Sequence, residues 1–248
     1  MWHLRAACVV AACAASPALA GTVLFFTDQQ AFHTHNGLEG KFLKGIEDFE
    51  YSSAPPQSKT FFPNPLQYGD PRPHFENGLA SENLIIQSNI TPSPCPPTPN
   101  PSTNPNALWV NGPGFLGSNS IKVGTDEFLN GLFSSIDLIF TSNDKTAVGV
   151  DVSTYQQFNQ GHHGFIVCAY DQFDNILGSY LMPGPLPTEP AKNFIGVWSP
   201  TPIGRLNIWG IFDQPLPFAV DNIEMWVPAP SSAALLGVGG LLALRRRR

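Results

Sequence analysis

The chain has 248 residues, a formal net charge of −6, 25 prolines, 22 glycines and 18 phenylalanines, and only 13% of it is charged. That composition fits an all-β domain built from short apolar runs between turn residues. Five of the 13 basic residues (Arg5 and the last four) lie outside residues 21–226. All 19 acidic ones lie inside, so that span carries eight basic against 19 acidic groups, a balance of −11, which argues against nucleic acid or an anionic polysaccharide as an electrostatic partner.

Residues 1–20, MWHLRAACVVAACAASPALA, have the order of a secretory signal peptide. A short basic start (His3, Arg5) precedes an apolar stretch, and small residues Ala18 and Ala20 stand three and one before Gly21, where the mature chain is expected to begin. Val10-Ala11-Ala12-Cys13 offers a second reading, a lipobox that would lipidate Cys13. Cys8 and Cys13 leave with the leader. Cys95 and Cys168 are then expected to form one disulfide, as suits an exported domain, the alternative being two free thiols.

Residues 21–226 are long enough for one domain. Residues 22–26 read as a first strand, and 28–40 as a short helix with Asp28 as its N-cap. Residues 45–51, GIEDFEY, alternate as a half-exposed strand does. Residues 52–78 read as loop, and 83–88 as a short strand. Residues 91–106, TPSPCPPTPNPSTNPN, are a Pro-rich loop, because proline fixes φ and removes donors. Nine further strands follow at 107–110, 120–123, 135–141, 147–153, 164–170, 176–182, 194–198, 205–212 and 218–226, with 171–175 suited to a hairpin turn. Strands at this spacing, uninterrupted by an amphipathic helix, predict an antiparallel β-sandwich, jelly-roll-like in its connections.

No nucleophile elbow, zinc-protease, phosphate-loop or dinucleotide pattern stands in the chain. Glu47, Asp48 and Glu50 supply carboxylates of the kind a glycosidase pairs across a bond, with Asp48 and Glu50 on one face if the strand persists; a solvated edge explains them equally. His33/His35 and His162/His163 lack a third ligand at a telling spacing and read as exposed polar residues. Asp221-Asn222 are poor strand formers inside the last strand, so they mark a bulge or a hydrogen bond to a neighbour, or else an oxygen-rich Ca²⁺ site with Asp151 or Glu50 as partners. Calcium is the one candidate cofactor. Trp109, Tyr155, Trp198 and Trp209 are aromatics that would stack on sugar rings if exposed and fill the core if not.

Residues 227–248, VPAPSSAALLGVGGLLALRRRR, close the chain. The order is Val227, Pro228, Ala229 and Pro230, a serine spacer, an apolar run at 233–244, and Arg245, Arg246, Arg247 and Arg248. Twelve apolar residues make a helix of about 18 Å, against a bilayer core of about 30 Å, so this run is a poor permanent anchor. Four arginines after it resist translocation.

This three-part layout resembles the PEP-CTERM sorting signal of Gram-negative bacteria, with Pro228-Ala229-Pro230 at the Pro-Glu-Pro position and the central Glu absent. The resemblance implies recognition and processing by an exosortase, transient residence in the inner membrane, and delivery to the cell surface or extracellular matrix among exopolysaccharide. Residues 146–226, with AVGVDVS, FIVCAYDQFDNILGSYLM, NFIGVWSPTPIGRLNIWG and FAVDNIEMW in that order, are similar to a β-sandwich module common in that family. The similarity implies a jelly roll of the carbohydrate-binding or galactose-binding-like kind. With no catalytic motif in the chain, a non-catalytic binding or structural role is expected, the alternative being a secreted hydrolase that acts on glycans through a carboxylate pair.

Overall fold

A computed structural model describes residues 22–88, 106–114, 120–125, 133–154, 164–183, 193–211 and 218–230. In chain order the elements are β1 (Leu24–Phe26), α1 (Gln29–Leu38), β2 (Lys41–Glu47), β3 (Lys59–Phe62), β4 (Leu66–Gln67), β5 (Leu84–Ser88), β6 (Leu108–Asn111) and β7 (Lys122–Thr125). They continue with β8 (Phe133–Phe140), β9 (Ala147–Thr154), β10 (Gly164–Tyr170), β11 (Ile176–Pro183), β12 (Asn193–Trp198), β13 (Arg205–Ile211) and β14 (Phe218–Pro228).

Period-two alternation places the core. Val148, Val150 and Val152 of β9, Leu206 and Ile208 of β13, and Phe218, Val220, Ile223 and Met225 of β14 all point into one apolar cluster between two sheets. The larger sheet runs β1-β12-β9-β14-β7-β6-β3, with β2 also paired to β14, and the smaller runs β11-β10-β13-β8-β5-β4. All of these pairings are antiparallel. From β8 onward the chain crosses repeatedly between the sheets, returning within one only for the β10–β11 hairpin. This is the expected jelly-roll-like β-sandwich.

The predicted helix is present, and the Asp28 carboxylate accepts the Ala31 N–H at 2.7 Å as its N-cap. Three expectations need correction. The strand read at 45–51 begins at Lys41 and stops at Glu47, where Phe49 turns to φ 58° with its ring buried in the core. Residues 52–78 are not all loop, for β3 and β4 form the outer strands of the two sheets. The last strand, expected to end at 226, runs on to Pro228, because Val227 and Pro228 keep register with Phe42 and Lys41 and the Ala229 N–H reaches the Gly40 carbonyl at 2.9 Å. The first residues of the tail are therefore sheet. Residues 1–21, 89–105 and 231–248 lie outside the described residues, and with them the leader, nearly all of the Pro-rich loop and the apolar run.

Helix α1 lies on the outer face of the larger sheet. Its Phe32 is fully buried against Phe26, Phe194 and Trp226, over the cross-strand pair Gly149 and Gly196. A Cβ on Gly196 would sit 2.5 Å from the Phe32 ring. We therefore expect Gly196→Ala to cost about 2 kcal/mol by overpacking and to lower the melting temperature by roughly 4–8 °C. Gly37→Ala, on the same helix where an added methyl meets nothing within 4 Å, should gain up to about 1 kcal/mol. Thermal melts of the two variants check the pair.

Candidate functional site

The segment between β2 and β5, where loop was expected, forms a groove on a firmly built frame. Phe75 is its hub: Phe49, Tyr51 and Phe62 each set a ring edge-on to it at 5.9–6.3 Å. A tight turn links Arg72 and Phe75 by two backbone hydrogen bonds, with His74 at φ 68°. The Arg72 guanidinium forks onto the Asp70 carboxylate at 2.9 and 2.6 Å and also donates to the Pro65 carbonyl. Gly78, at φ 71°, lets the chain fold back so closely that a Cβ there would lie 1.9 Å from the Gln67 carbonyl oxygen.

The groove has a volume of about 400 Å³ and is walled by Tyr51, Tyr68, His74, Glu76 and Asn77, with Ser53 and residues 78–80. Tyr51 and Tyr68 are 46% and 51% exposed, and Glu76 and Asn77 are exposed beside them. His74 Nε2 is held 3.0 Å from Thr60 Oγ1. Two half-exposed tyrosine rings beside an acid, an amide and an imidazole suit a ligand that is apolar on its faces and hydroxylated at its rim.

Tyr51 is held from behind. Its hydroxyl accepts the Ala80 N–H at 2.8 Å, and the buried Glu47 carboxylate accepts the next one, Ser81 N–H, at 2.9 Å. Burial pushes the Glu47 carboxyl above the usual carboxylate range, against the downward pull of its bonds to Tyr51 and Ser81. Burial, with the Glu47 charge added, also pushes the Tyr51 phenol up.

The carboxylates at 47, 48 and 50 do not share a strand face, because β2 has ended. Asp48 accepts the Glu50 N–H at 3.2 Å in its own turn, Glu50 accepts the Ile121 N–H at 3.2 Å, and Glu47 faces Ser81. Asp221 and Asn222 stand at a bulge in β14, with Asn222 at φ 47°. The Asn222 amide donates to Asp151 at 2.7 Å, turning an N–H rather than an oxygen toward that carboxylate, and the Asn222 backbone N–H reaches Asp221 at 2.8 Å. Among the described residues no three His, Cys, Asp or Glu side chains form a metal-sized group.

His33 pairs with the buried Glu224 at 2.7 Å, which also receives Gln29 at 2.6 Å and the Trp226 indole at 3.0 Å, so this histidine fastens α1 to the sheet. His35 packs its ring against Trp198, and His162 and His163 lie outside the described residues. Trp109 and Trp209 are buried and Trp198 is half-buried, so they serve packing; Tyr155 lies outside the described residues. Cys168 is buried in β10 and disulfide-bonded, and Cys95 lies outside the described residues. Ala18, Ala20, Gly21 and Arg245, Arg246, Arg247 and Arg248 lie outside them too. Of the sorting motif, Val227 and Pro228 are in β14, while Ala229 and Pro230 follow it directly. Neither Tyr51 nor Tyr68 stood out in sequence: Tyr51 closes the run read as a strand at 45–51, and Tyr68 sits in the stretch read as loop.

No protein-family model matches the chain, and no curated protein matches it. Among solved structures it is similar to the K3 cleaved adhesin domain of Lys-gingipain from Porphyromonas gingivalis w83, at 17% identity and a TM-score of 0.35, over 75% of this chain and 99% of that one. It is similar to TmCBM61, solved in complex with β-1,4-galactotriose, at 10% identity and a TM-score of 0.28, over 58% of this chain and 82% of that one. The enzymatically active domain of tailspike protein 4 from Bacteriophage CBA120 matches at 12% identity and a TM-score of 0.33, over 58% of this chain and 19% of that one. Likenesses of this size carry no functional inference.

The raised Glu47 carboxyl has a consequence for stability. The fold favours its protonated form, so stability is lost as pH rises from the ordinary Glu value through the folded value, and the cost is complete above that. Glu47→Gln, which stays neutral, should melt higher than the wild type at pH 8, with the difference shrinking toward pH 4. An equal or lower melting temperature at pH 8 would contradict this.

Proposed function

We propose that the chain is an exported bacterial cell-surface or extracellular-matrix protein whose sandwich binds a neutral polysaccharide in the Tyr51/Tyr68 groove without turning it over. The observation that carries the reading is that groove: two half-exposed tyrosine rings, with Glu76, Asn77 and His74 around them, on a hydrogen-bonded frame. A pyranose offers a C–H face to a ring and a hydroxyl rim to polar side chains, and a preformed wall binds without ordering cost. A surplus of 11 negative charges in residues 21–226 disfavours polyanionic glycans. Glu47, Asp48 and Glu50 are each engaged in holding the backbone, which supports binding rather than hydrolysis.

Sorting belongs to the same proposal. The leader, the apolar run at 233–244 and the terminal arginines support export, brief membrane retention and processing by an exosortase, with release near exopolysaccharide or biofilm. Intact-mass measurement of the surface-delivered protein is expected to find Gly21 at its start and the Arg245–Arg248 cluster removed. Retention of Arg248 on that protein rules out processing.

A glycan array followed by calorimetry tests the groove. Tyr68→Ala should weaken binding about tenfold, roughly 1.4 kcal/mol, with an unchanged melting temperature, whereas Tyr68→Phe keeps most of the affinity. Absence of binding to any neutral glycan, or equal binding by the Ala variant, overturns the assignment.

A further inference from the structure

Strand β2 presents an unusual edge. Among the described residues it is hydrogen-bonded to β14 alone, and it exposes Phe42 (45%), Leu43 (38%) and Ile46 (47%). Exposed edge strands are normally guarded by charge, lysine above all. Both lysines of β2 are turned to other work. Lys41 donates to the Thr146 and Ser199 carbonyls at 2.9 and 3.2 Å and lies over the Trp198 ring, while Lys44 pairs with Asp144 at 2.7 Å. The edge is left apolar, and an apolar edge of this kind invites a partner.

The chain itself supplies one of matching length and charge. Pro228 lies opposite Lys41, and the Ala229 N–H bonds Gly40, so the tail leaves the sheet at the start of β2. Pro230 and two serines follow, a composition suited to reversing direction. A tail reversed at that point would run alongside β2 toward Glu47. Its twelve apolar residues, 233–244, reach about 18 Å as a helix, enough to cover the strip from Phe42 to Ile46, which spans about 13 Å. That course would bring the four arginines to the far end of β2, where Asp48, Glu50 and Glu82 are exposed. Glu82 shares a pocket of about 180 Å³ with Lys44 and Gly45 of β2.

From these three matches we infer that residues 231–248, whenever they are not in a membrane, fold back along the free edge of β2, with the apolar run on Phe42, Leu43 and Ile46 and the arginines on Asp48, Glu50 and Glu82. The contact shelters the edge and the tail from water at once. It also places the Pro228-Ala229-Pro230 segment at the bend, so that the tail must lift from the sandwich before it enters a bilayer. This inference does not depend on the groove binding any glycan.

Hydrogen exchange on the full chain in detergent-free buffer tests it. The β2 amides should exchange about tenfold more slowly than in a variant carrying Arg245→Glu, Arg246→Glu, Arg247→Glu and Arg248→Glu together, while β10 amides and the melting temperature stay the same. A photo-crosslinker in place of Leu43 should capture a peptide from 231–248 of the same chain, and anionic vesicles should abolish the capture. Identical β2 exchange in the two proteins, or capture elsewhere in the chain, overturns the inference. A cross-link between two chains overturns it as well, by making the occupant of the edge a second copy.

Discussion

One kink in β14 organises this sandwich. Along one side, β14 pairs with β9 both before and after the kink; along the other it pairs with β7 through Val220 and with β2 from Ile223 onward. On that side the partner changes between Val220 and Ile223, and Asn222 at φ 47° stands at the change, opposite the bulge in the β9 ladder. Asparagine tolerates this left-handed conformation because its short polar side chain bonds locally, here to Asp151, while Asp221 takes the backbone N–H. The placement of β2 follows from the kink. Glu47 then arrives beside Ser81 and Tyr51, and the tail departs beside Gly40.

Buried charge is used on both sheets to hold what the ladders do not. Beyond the kink, Glu224 stands on the outer face of the larger sheet and gathers Gln29 and His33, one helical turn apart on α1, together with the Trp226 indole. On the smaller sheet, Arg205 is buried over the Tyr170 ring, bonds Asp137 at 2.9 Å and reaches Asp174 at 3.1 Å in the β10–β11 turn. Asn207 adds a second donor to Asp137. Buried ions of this kind gain little net stability against apolar substitutes, yet removing one partner is costly because the other stays buried. Their effect is to specify positions: which way α1 lies, and how the hairpin meets β13.

The strands after residue 107 were legible because short apolar runs recur at regular spacing between turn formers, and the helix because Asp28 precedes a run that can accept its cap. The groove was not legible. Its frame depends on Phe75 meeting rings from residues 49, 51 and 62, and on a backbone fold at Gly78 that no local pattern announces. The tryptophans that stood out in sequence are packing residues, whereas the rings that wall the groove are tyrosines in an irregular stretch.

Sequence by itself determined the all-β architecture, most strand positions, the helix cap, the acidic balance and the three-part order of the tail, since each is a local or compositional property. Tertiary structure decided which carboxylates face one another, which aromatics meet solvent, and where the tail leaves the fold. Those depend on strand order and register. Glu47, Asp48 and Glu50 are neighbours in the chain, yet their partners are Ser81, Glu50 and Ile121, and only the folded sheets bring Ser81 and Ile121 to them.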